Sequence, residues 1–212
     1  MAILPAVTNL FQGVGITEQQ FKLVSRQEFS RTASGVTIGR DLGPALWQAS
    51  YTLAPIRHED VLRVEAKLHS LNGVTRGFYA GDIRGRMPHA YPDGAFNDTG
   101  VIASFTGSTM NLSGLPAGFI ITAGDYMEYD YGVGNQLRAL LQVVNDVTAT
   151  GGGVAEGVEF RPFIPTGTPI GGAVRFKNPR ALFTLNTDGY EQTVIDSLFT
   201  QLSFSATQSF LR

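Results

Sequence analysis

Few side chains in this sequence are suited to catalysis or metal binding, because it has three histidines and no cysteine. The missing cysteine excludes disulfides, thiolate nucleophiles and cysteine-ligated zinc. His58 and His69 fall on one predicted helix, roughly 16 Å apart at about 1.5 Å per residue, which is too far to share a metal ion. His89 falls in a loop flanked by proline and glycine. The sequence therefore predicts neither a catalytic histidine nor a metal site.

The run Asp125, Glu128 and Asp130 is the best candidate for carboxylate chemistry. It lacks the glycine and the closing glutamate of an EF-hand loop. Strand alternation would place Glu128 and Asp130 on one face, with Asp125 in the preceding turn. A glycosidase needs two facing carboxylates, and nothing in the sequence singles out such a pair. We expect these acids to be solvated on an acidic face, and we expect no enzyme activity and no cofactor.

Three tyrosines, Tyr126, Tyr129 and Tyr131, occur in the same short stretch. Tyrosines on a strand can stack on sugars or anchor an interface with another protein. Core packing and cross-strand pairing explain the cluster equally well. The three residues are therefore possible ligand or interface contacts.

The composition is that of a globular protein with few charges, 43% hydrophobic and 16% charged. Such a surface indicates either a β-rich fold covered with small polar side chains or a surface covered by partner subunits. The net charge of −2 argues against a general nucleic-acid binder. The first eleven residues lack the basic and apolar regions of a signal peptide, and no stretch reaches the roughly 20 apolar residues of a membrane span. We expect a protein made in the cytoplasm or built into a particle there.

Charge divides the chain into three parts. Residues 1–90 hold ten basic and seven acidic side chains, whereas residues 91–167 hold two basic and eight acidic ones, and residues 168–212 hold four basic and three acidic ones. This shift predicts one domain made from 1–90 and 168–212, with 91–167 inserted as an acidic, glycine-rich domain. The alternative is a single sheet protein with one acidic face.

Hydrophobic periodicity predicts a mainly β fold with one helix. Residues 47–53 and 198–206 alternate as half-buried strands that share one sheet, and shorter strands are expected at 21–24 and 36–40. An apolar stripe predicts a helix over 58–71. The short strands of 91–167 predict a small barrel of OB or SH3-like size. The predicted structural core contains Trp47, Tyr51, Leu68, Leu202 and Phe204.

Several short segments follow one another in a particular order. They are Leu46-Trp47-Gln48-Ala49-Ser50-Tyr51, Pro55, the helix, Gly-Phe-Tyr-Ala-Gly-Asp (77–82), Leu-Pro-Ala-Gly (115–118), Ala-Gly-Asp-Tyr (123–126), Arg161-Pro162, Gly-Ala-Val (172–174), Asn-Pro-Arg (178–180), Phe-Thr-Leu (183–185) and Leu-Ser-Phe-Ser-Ala (202–206). This succession resembles the distal tail proteins of long, flexible-tailed phages and of related prophage tail modules. The resemblance covers roughly residues 40–210.

The resemblance implies a belt domain, a β-sandwich with a helix, that closes into a hexameric ring at the tip of the tail. A second β-rich domain often decorates its outside. The implied partners are further copies of the chain, the tail tube protein, the baseplate hub protein and the tape-measure protein. The implied location is the virion, after synthesis in the host cytoplasm. Many members carry a larger carbohydrate-binding insertion, for which this chain has no room.

Two functions from different classes are therefore expected. The first is a structural virion protein that joins the tail tube to the baseplate hub and the host-recognition apparatus. The second is a carbohydrate-binding module that attaches a particle to a cell surface, motivated by the tyrosine cluster and the acidic part of the chain. A hydrolase of glycan or peptide is a third and weaker alternative.

Overall fold

The computed structural model describes residues 10, 14–132 and 137–210. The first eleven residues, which were used to argue against a signal peptide, lie outside this set except for Leu10. The predicted mainly β fold is confirmed. In chain order the elements are β1 (Ile16–Arg31), β2 (Thr37–Leu53), β3 (Ile56–Arg57), α1 (His58–Ser70), β4 (Phe78–Ala80), β5 (Val101–Thr106), β6 (Thr109–Ser113), β7 (Ile120–Ile121), β8 (Tyr126–Tyr131), β9 (Leu137–Val143), β10 (Val147–Thr148), β11 (Ala155–Arg161), β12 (Val174–Arg175), β13 (Ala181–Val194) and β14 (Phe199–Gln208).

The first sheet joins the two ends of the chain. Its strands lie in the order β1-β2-β14-β13-β4, and β3 pairs with β14. Strands β2 and β14 are antiparallel neighbours, with Tyr51 opposite Phe204 and Ala49 opposite Ala206. The prediction that these two alternating strands belong to one sheet is therefore confirmed. The short strands expected at 21–24 and 36–40 are parts of the much longer β1 and β2.

The core of the first sheet forms where α1 and the alternating strands meet. The helix buries Val61, Val64 and Leu68, the apolar stripe that predicted it, and it ends one residue earlier than expected. All five predicted core side chains are buried, with exposed fractions of 4% or less. Side chains on one face repeat about every 3.6 residues in a helix and every 2 residues in a strand. The apolar residues follow these periods, so the helix and the strands bury their apolar faces in the same core.

The second sheet is built from the middle of the chain. Its strands lie in the order β12-β8-β9-β11-β6-β5, and β7 and β10 form a separate two-stranded sheet. Its own core includes Met127, Tyr129 and Phe160. Strand β12 pairs with β8, so this sheet extends to Arg175, beyond the boundary expected at residue 167. The division into a domain and an insert stays a prediction.

Four residues from both sheets pack together where the sheets meet, and we call them the junction: Phe21, Trp47, Tyr126 and Leu140. The Trp47 indole Nε1 donates a hydrogen bond to the Leu140 carbonyl at 3.0 Å. Phe21 stacks on Trp47 with ring centroids 5.1 Å apart, and Tyr126 contacts both rings edge-on. All four belong to the core of the first sheet, although Tyr126 and Leu140 lie on strands of the second.

The described part of the chain contains one helix, α1, of 13 residues. No helix there has the length and apolar composition needed to span a membrane.

Candidate functional site

A two-stranded extension of the first sheet is the most exposed regular structure in the described residues. Every residue from 25 to 42 is exposed, and we call this segment the hairpin arm. Strands β1 and β2 pair along it from Arg26 opposite Gly43 to Arg31 opposite Thr37. Strand β14 reaches β2 only from Gln48 onward, so the arm has no third strand beside it. At about 3.3 Å per residue, the arm projects roughly 20 Å from the sheet.

The arm ends in a tight turn whose sequence favours the reversal. The Thr32 amide donates to the Val36 carbonyl, and the Gly35 amide donates to the Thr32 carbonyl, each at 2.9 Å. Gly35 has a φ of +83°, a conformation that glycine adopts without steric cost. The Thr32 hydroxyl also accepts a hydrogen bond from the Val36 amide at 3.1 Å. The turn therefore fixes the register of the arm.

Four large apolar side chains are exposed on the arm: Phe29 at 70%, Val36 at 58%, Ile38 at 60% and Leu42 at 56%. Phe29 lies opposite Gly39, whereas Ile38 lies opposite Ser30, so these two apolar side chains occupy opposite faces. A two-stranded hairpin is at best marginally stable in water by itself. The arm therefore exposes apolar side chains on both faces of a hairpin that has little stability of its own.

The arm also has unpaired backbone edges. Strand β1 is the outer strand of its sheet, and over residues 25–42 the inner edge of β2 has no partner among the described strands. Free edges offer amide and carbonyl groups to a strand from another chain.

A second exposed surface lies where β13 turns into β14. We call residues 188–198 the acidic tip, because they include Asp188, Glu191 and Asp196 and no basic residue. Every residue from 191 to 198 is exposed. The large apolar side chains exposed there are Val194 at 67%, Ile195 at 50% and Leu198 at 64%.

Asp196 shapes the turn of the acidic tip. Its carboxylate accepts hydrogen bonds from the backbone amides of Leu198 at 2.7 Å and Phe199 at 2.8 Å. These two amides lower the pKa of Asp196, because they stabilise its charged form. Beside the tip lies an open depression lined by Arg57, His58, Glu59, Leu198 and Phe199.

The expectation that Asp125 and Glu128 are solvated is wrong. Asp125 is 5% exposed and Glu128 is 3% exposed. The Asp125 carboxylate accepts hydrogen bonds from the His89 amide at 2.7 Å and the Thr122 amide at 2.8 Å. It therefore holds a turn together, and its oxygens are occupied by backbone donors.

Glu128 forms the centre of a charged network with Asp130. Arg175 Nε donates to Glu128 Oε1 at 2.7 Å, and the Arg180 backbone amide donates to Oε2. Arg138 lies 3.4 Å from Glu128 and 3.3 Å from Asp130, and Arg175 pairs with Asp130 at 2.8 Å. Burial raises the pKa of Glu128, and the charges of Arg138 and Arg175 offset this only in part. Two carboxylates matched by two guanidinium groups form a structural ion-pair network and leave no free acid for catalysis.

The three tyrosines are buried, with exposed fractions of 7% for Tyr126, 0% for Tyr129 and 4% for Tyr131. The Tyr126 hydroxyl donates to Asp82 Oδ2 at 3.2 Å, and the Tyr129 hydroxyl accepts from the Thr168 hydroxyl at 3.2 Å. Burial raises the pKa of Tyr129 and of Tyr131 to about 12. Core packing, the second explanation of the cluster, therefore describes these rings, and none offers a face to a sugar or a partner in this structure.

The histidines lie apart and serve local contacts. His58 Nδ1 lies 2.8 Å from the Thr200 hydroxyl, and His69 Nε2 lies 3.0 Å from the Tyr190 hydroxyl. Across residues 14–132 and 137–210, with Leu10, no group of three or more histidine and carboxylate side chains is placed to hold a metal ion.

The hairpin arm and the acidic tip were not predicted from the sequence to be exposed apolar surfaces. Within residues 26–31 only Phe29 is apolar, so β1 shows no alternation there. The available signal was Thr-Ala-Ser-Gly at 32–35, a turn sequence that is followed by the β-branched run Val36-Thr37-Ile38.

Two comparisons with known proteins add no relative. A search against protein-family models finds no match for this chain. A search of curated proteins finds no match either.

Proposed function

We propose that this protein is a structural component of the distal end of a long, flexible phage tail. Copies of the chain close into a hexameric ring that joins the tail tube to the baseplate hub. The ring contacts the tail tube, hub and tape-measure proteins and is located in the virion. The proposal is supported by the order of sequence segments that resembles distal tail proteins and by the surface of the first sheet.

The observation that carries the proposal is the hairpin arm. It combines free strand edges with apolar side chains on both faces, at a place where no described residue of the same chain covers them. A subunit of an assembly uses such an extension to add a strand to its neighbour. The low charge of the whole chain, 16%, fits a surface that other subunits cover.

The two sheets fit a two-part architecture of this kind. We propose that the first sheet with α1 is the β-sandwich belt domain, and that the second sheet is a small barrel of OB or SH3-like size carried on it. Strands β2 and β14 pair directly although the second sheet lies between them in sequence, as an inserted unit requires.

A carbohydrate-binding module is the weaker candidate. It was motivated by Tyr126, Tyr129 and Tyr131, and the faces of these rings are buried. No other group of exposed aromatic side chains in the described residues favours sugar binding.

Light scattering after size-exclusion chromatography tests the proposal. We expect a species near six times the 22.8 kDa of one chain at high protein concentration, and a closed ring in negative-stain images. A protein that stays at the mass of one chain under these conditions contradicts the proposal and favours a monomeric binding module.

A further inference from the structure

The hairpin arm and the acidic tip occupy diagonally opposite corners of the first sheet. In the pairing of β2 with β14, Gln48 lies opposite Thr207 at one end and Thr52 lies opposite Ser203 at the other. The arm continues β2 beyond the Gln48 end, on the β1 side of the sheet. The acidic tip continues β14 beyond the Thr52 end, on the β13 side. The two surfaces therefore do not meet within one chain.

These two surfaces account for most of the large apolar side chains that the described residues expose. Seven of the twelve lie on them: Phe29, Val36, Ile38, Leu42, Val194, Ile195 and Leu198. Each of the two groups lies within one short segment at the end of a strand pair. Clustered exposed apolar side chains mark interaction sites, whereas single ones do not.

The charges of the two surfaces are complementary. The arm carries Arg26, Arg31 and Arg40 against Glu28 and Asp41, a net charge of +1. The acidic tip carries three carboxylates and no basic residue, a net charge of −3. Complementary potentials favour the contact between these surfaces and disfavour contact of the tip with another tip.

We infer that the hairpin arm of one copy docks on the acidic tip of the next copy of this chain. This inference rests on the proposed ring and names the contact that builds it. Two different surfaces meet in this contact, so it is heterologous and repeats around an axis. The open edge of β13 supports the docking, because β4 covers only residues 181–183 and no described strand covers the rest.

Engineered cysteines test the contact directly, since the chain has none of its own. Ile38→Cys on the arm and Leu198→Cys on the tip are prepared as separate full-length variants, mixed and oxidised. We expect covalent dimers in the mixture and little or none from either variant alone. A chain that carries both changes should give a ladder that ends in a closed ring. The matched control replaces Leu198→Cys by Val144→Cys, an exposed apolar position directly after β9 of the second sheet.

Charge reversal on the arm supplies a second test. Arg31→Glu together with Arg40→Glu, both at exposed positions, should sharply reduce the yield of Ile38–Leu198 cross-links without changing the midpoint of unfolding. An unchanged yield would overturn the inference, because complementarity of charge is one of its foundations.

The outcomes separate this inference from the proposed function. If the unmodified protein has the mass of a ring, but Ile38→Cys cross-links with itself or equally well with Val144→Cys, the docking is wrong and the ring stands. If the unmodified protein is monomeric and no pair cross-links, both the docking and the ring are wrong.

Discussion

Strand β2 connects the hairpin arm with the junction residue Trp47, and these two parts of the strand differ in exposure and in contacts. Strand β2 begins in the arm, where Ile38 is 60% exposed, and ends in the core, where Trp47 is 2% exposed. At the junction the Trp47 indole packs against Phe21 and Tyr126 and donates a hydrogen bond to the Leu140 carbonyl. In the arm, no described residues cover the side chains of Ile38 and Leu42.

The inner half of β2 is buried, whereas its outer half is exposed in the single chain. If the proposed ring forms through the arm, the free energy of folding and that of assembly should be separable by residue. The following predictions test this separation, from the largest expected change in unfolding free energy to the smallest.

Trp47→Ala should produce the largest loss. Removing a large buried aromatic side chain costs about 3–5 kcal/mol of unfolding free energy. The change also leaves the Leu140 carbonyl without its donor. Urea denaturation measures the loss. Ile38→Ala, on the same strand, is the control and should change the unfolding free energy by less than about 0.5 kcal/mol. Equal losses from the two changes would refute the separation of the strand into two halves.

Glu128→Ala should produce the next largest loss of unfolding free energy, because it leaves Asp130 as the carboxylate shared by Arg138 and Arg175 and leaves the Arg180 amide without its acceptor. Breaking a buried ion pair costs about 3–5 kcal/mol, but these two guanidinium side chains are 27% and 31% exposed and can regain water, so we expect about 2–3 kcal/mol. Glu159→Ala, at an exposed position of β11, is the matched control and should change stability by less than about 0.5 kcal/mol. A loss as small as that of the control would show that the network contributes nothing to folding.

The alternating half of β2 was predictable from sequence, and so was its partner β14. Both alternate in polarity because each covers a core on one face, and alternation is visible in a sequence. Helix α1 was predictable for the same reason. The burial of Glu128 was not, because its partners Arg175 and Arg180 lie far along the chain and join it only through the fold. The arm was not predictable as a surface, because residues that face solvent on both sides show no period.

Asp82 accepts a hydrogen bond from the junction residue Tyr126 and should make the unfolding free energy depend on pH. Burial acts to raise its pKa, but the hydrogen bonds and charge of Arg84, with the Tyr126 hydroxyl, outweigh burial and lower it. A lowered folded pKa stabilises the protein above the ordinary aspartate pKa, and this stability is lost as the pH falls through the lowered value. The unfolding free energy should therefore fall on acidification below about pH 4. Asp82→Asn should flatten this fall, and Asp188→Asn, at an exposed position, should not.

The smallest change in stability is expected from the arm, where the change in assembly is largest. Phe29→Asn and Ile38→Asn together replace one apolar side chain on each face of the arm. Both are already exposed in the single chain, so the unfolding free energy should change by less than about 0.5 kcal/mol. Light scattering should nevertheless show loss of the ring, because a neighbour would have to bury two unpaired amide side chains.

Val144→Asn, directly after β9 of the second sheet, is the control for this double variant. It removes a side chain of comparable exposure, 47%, from a surface that we do not assign to the subunit contact. The ring should persist in this variant. A ring that also persists in the arm variant would mean that the arm is not the contact, whereas a large loss of stability there would mean that the arm packs on its own chain. The separation holds if the arm variant is a stable monomer and the control variant still forms the ring. In that case one half of β2 serves folding and the other half serves assembly.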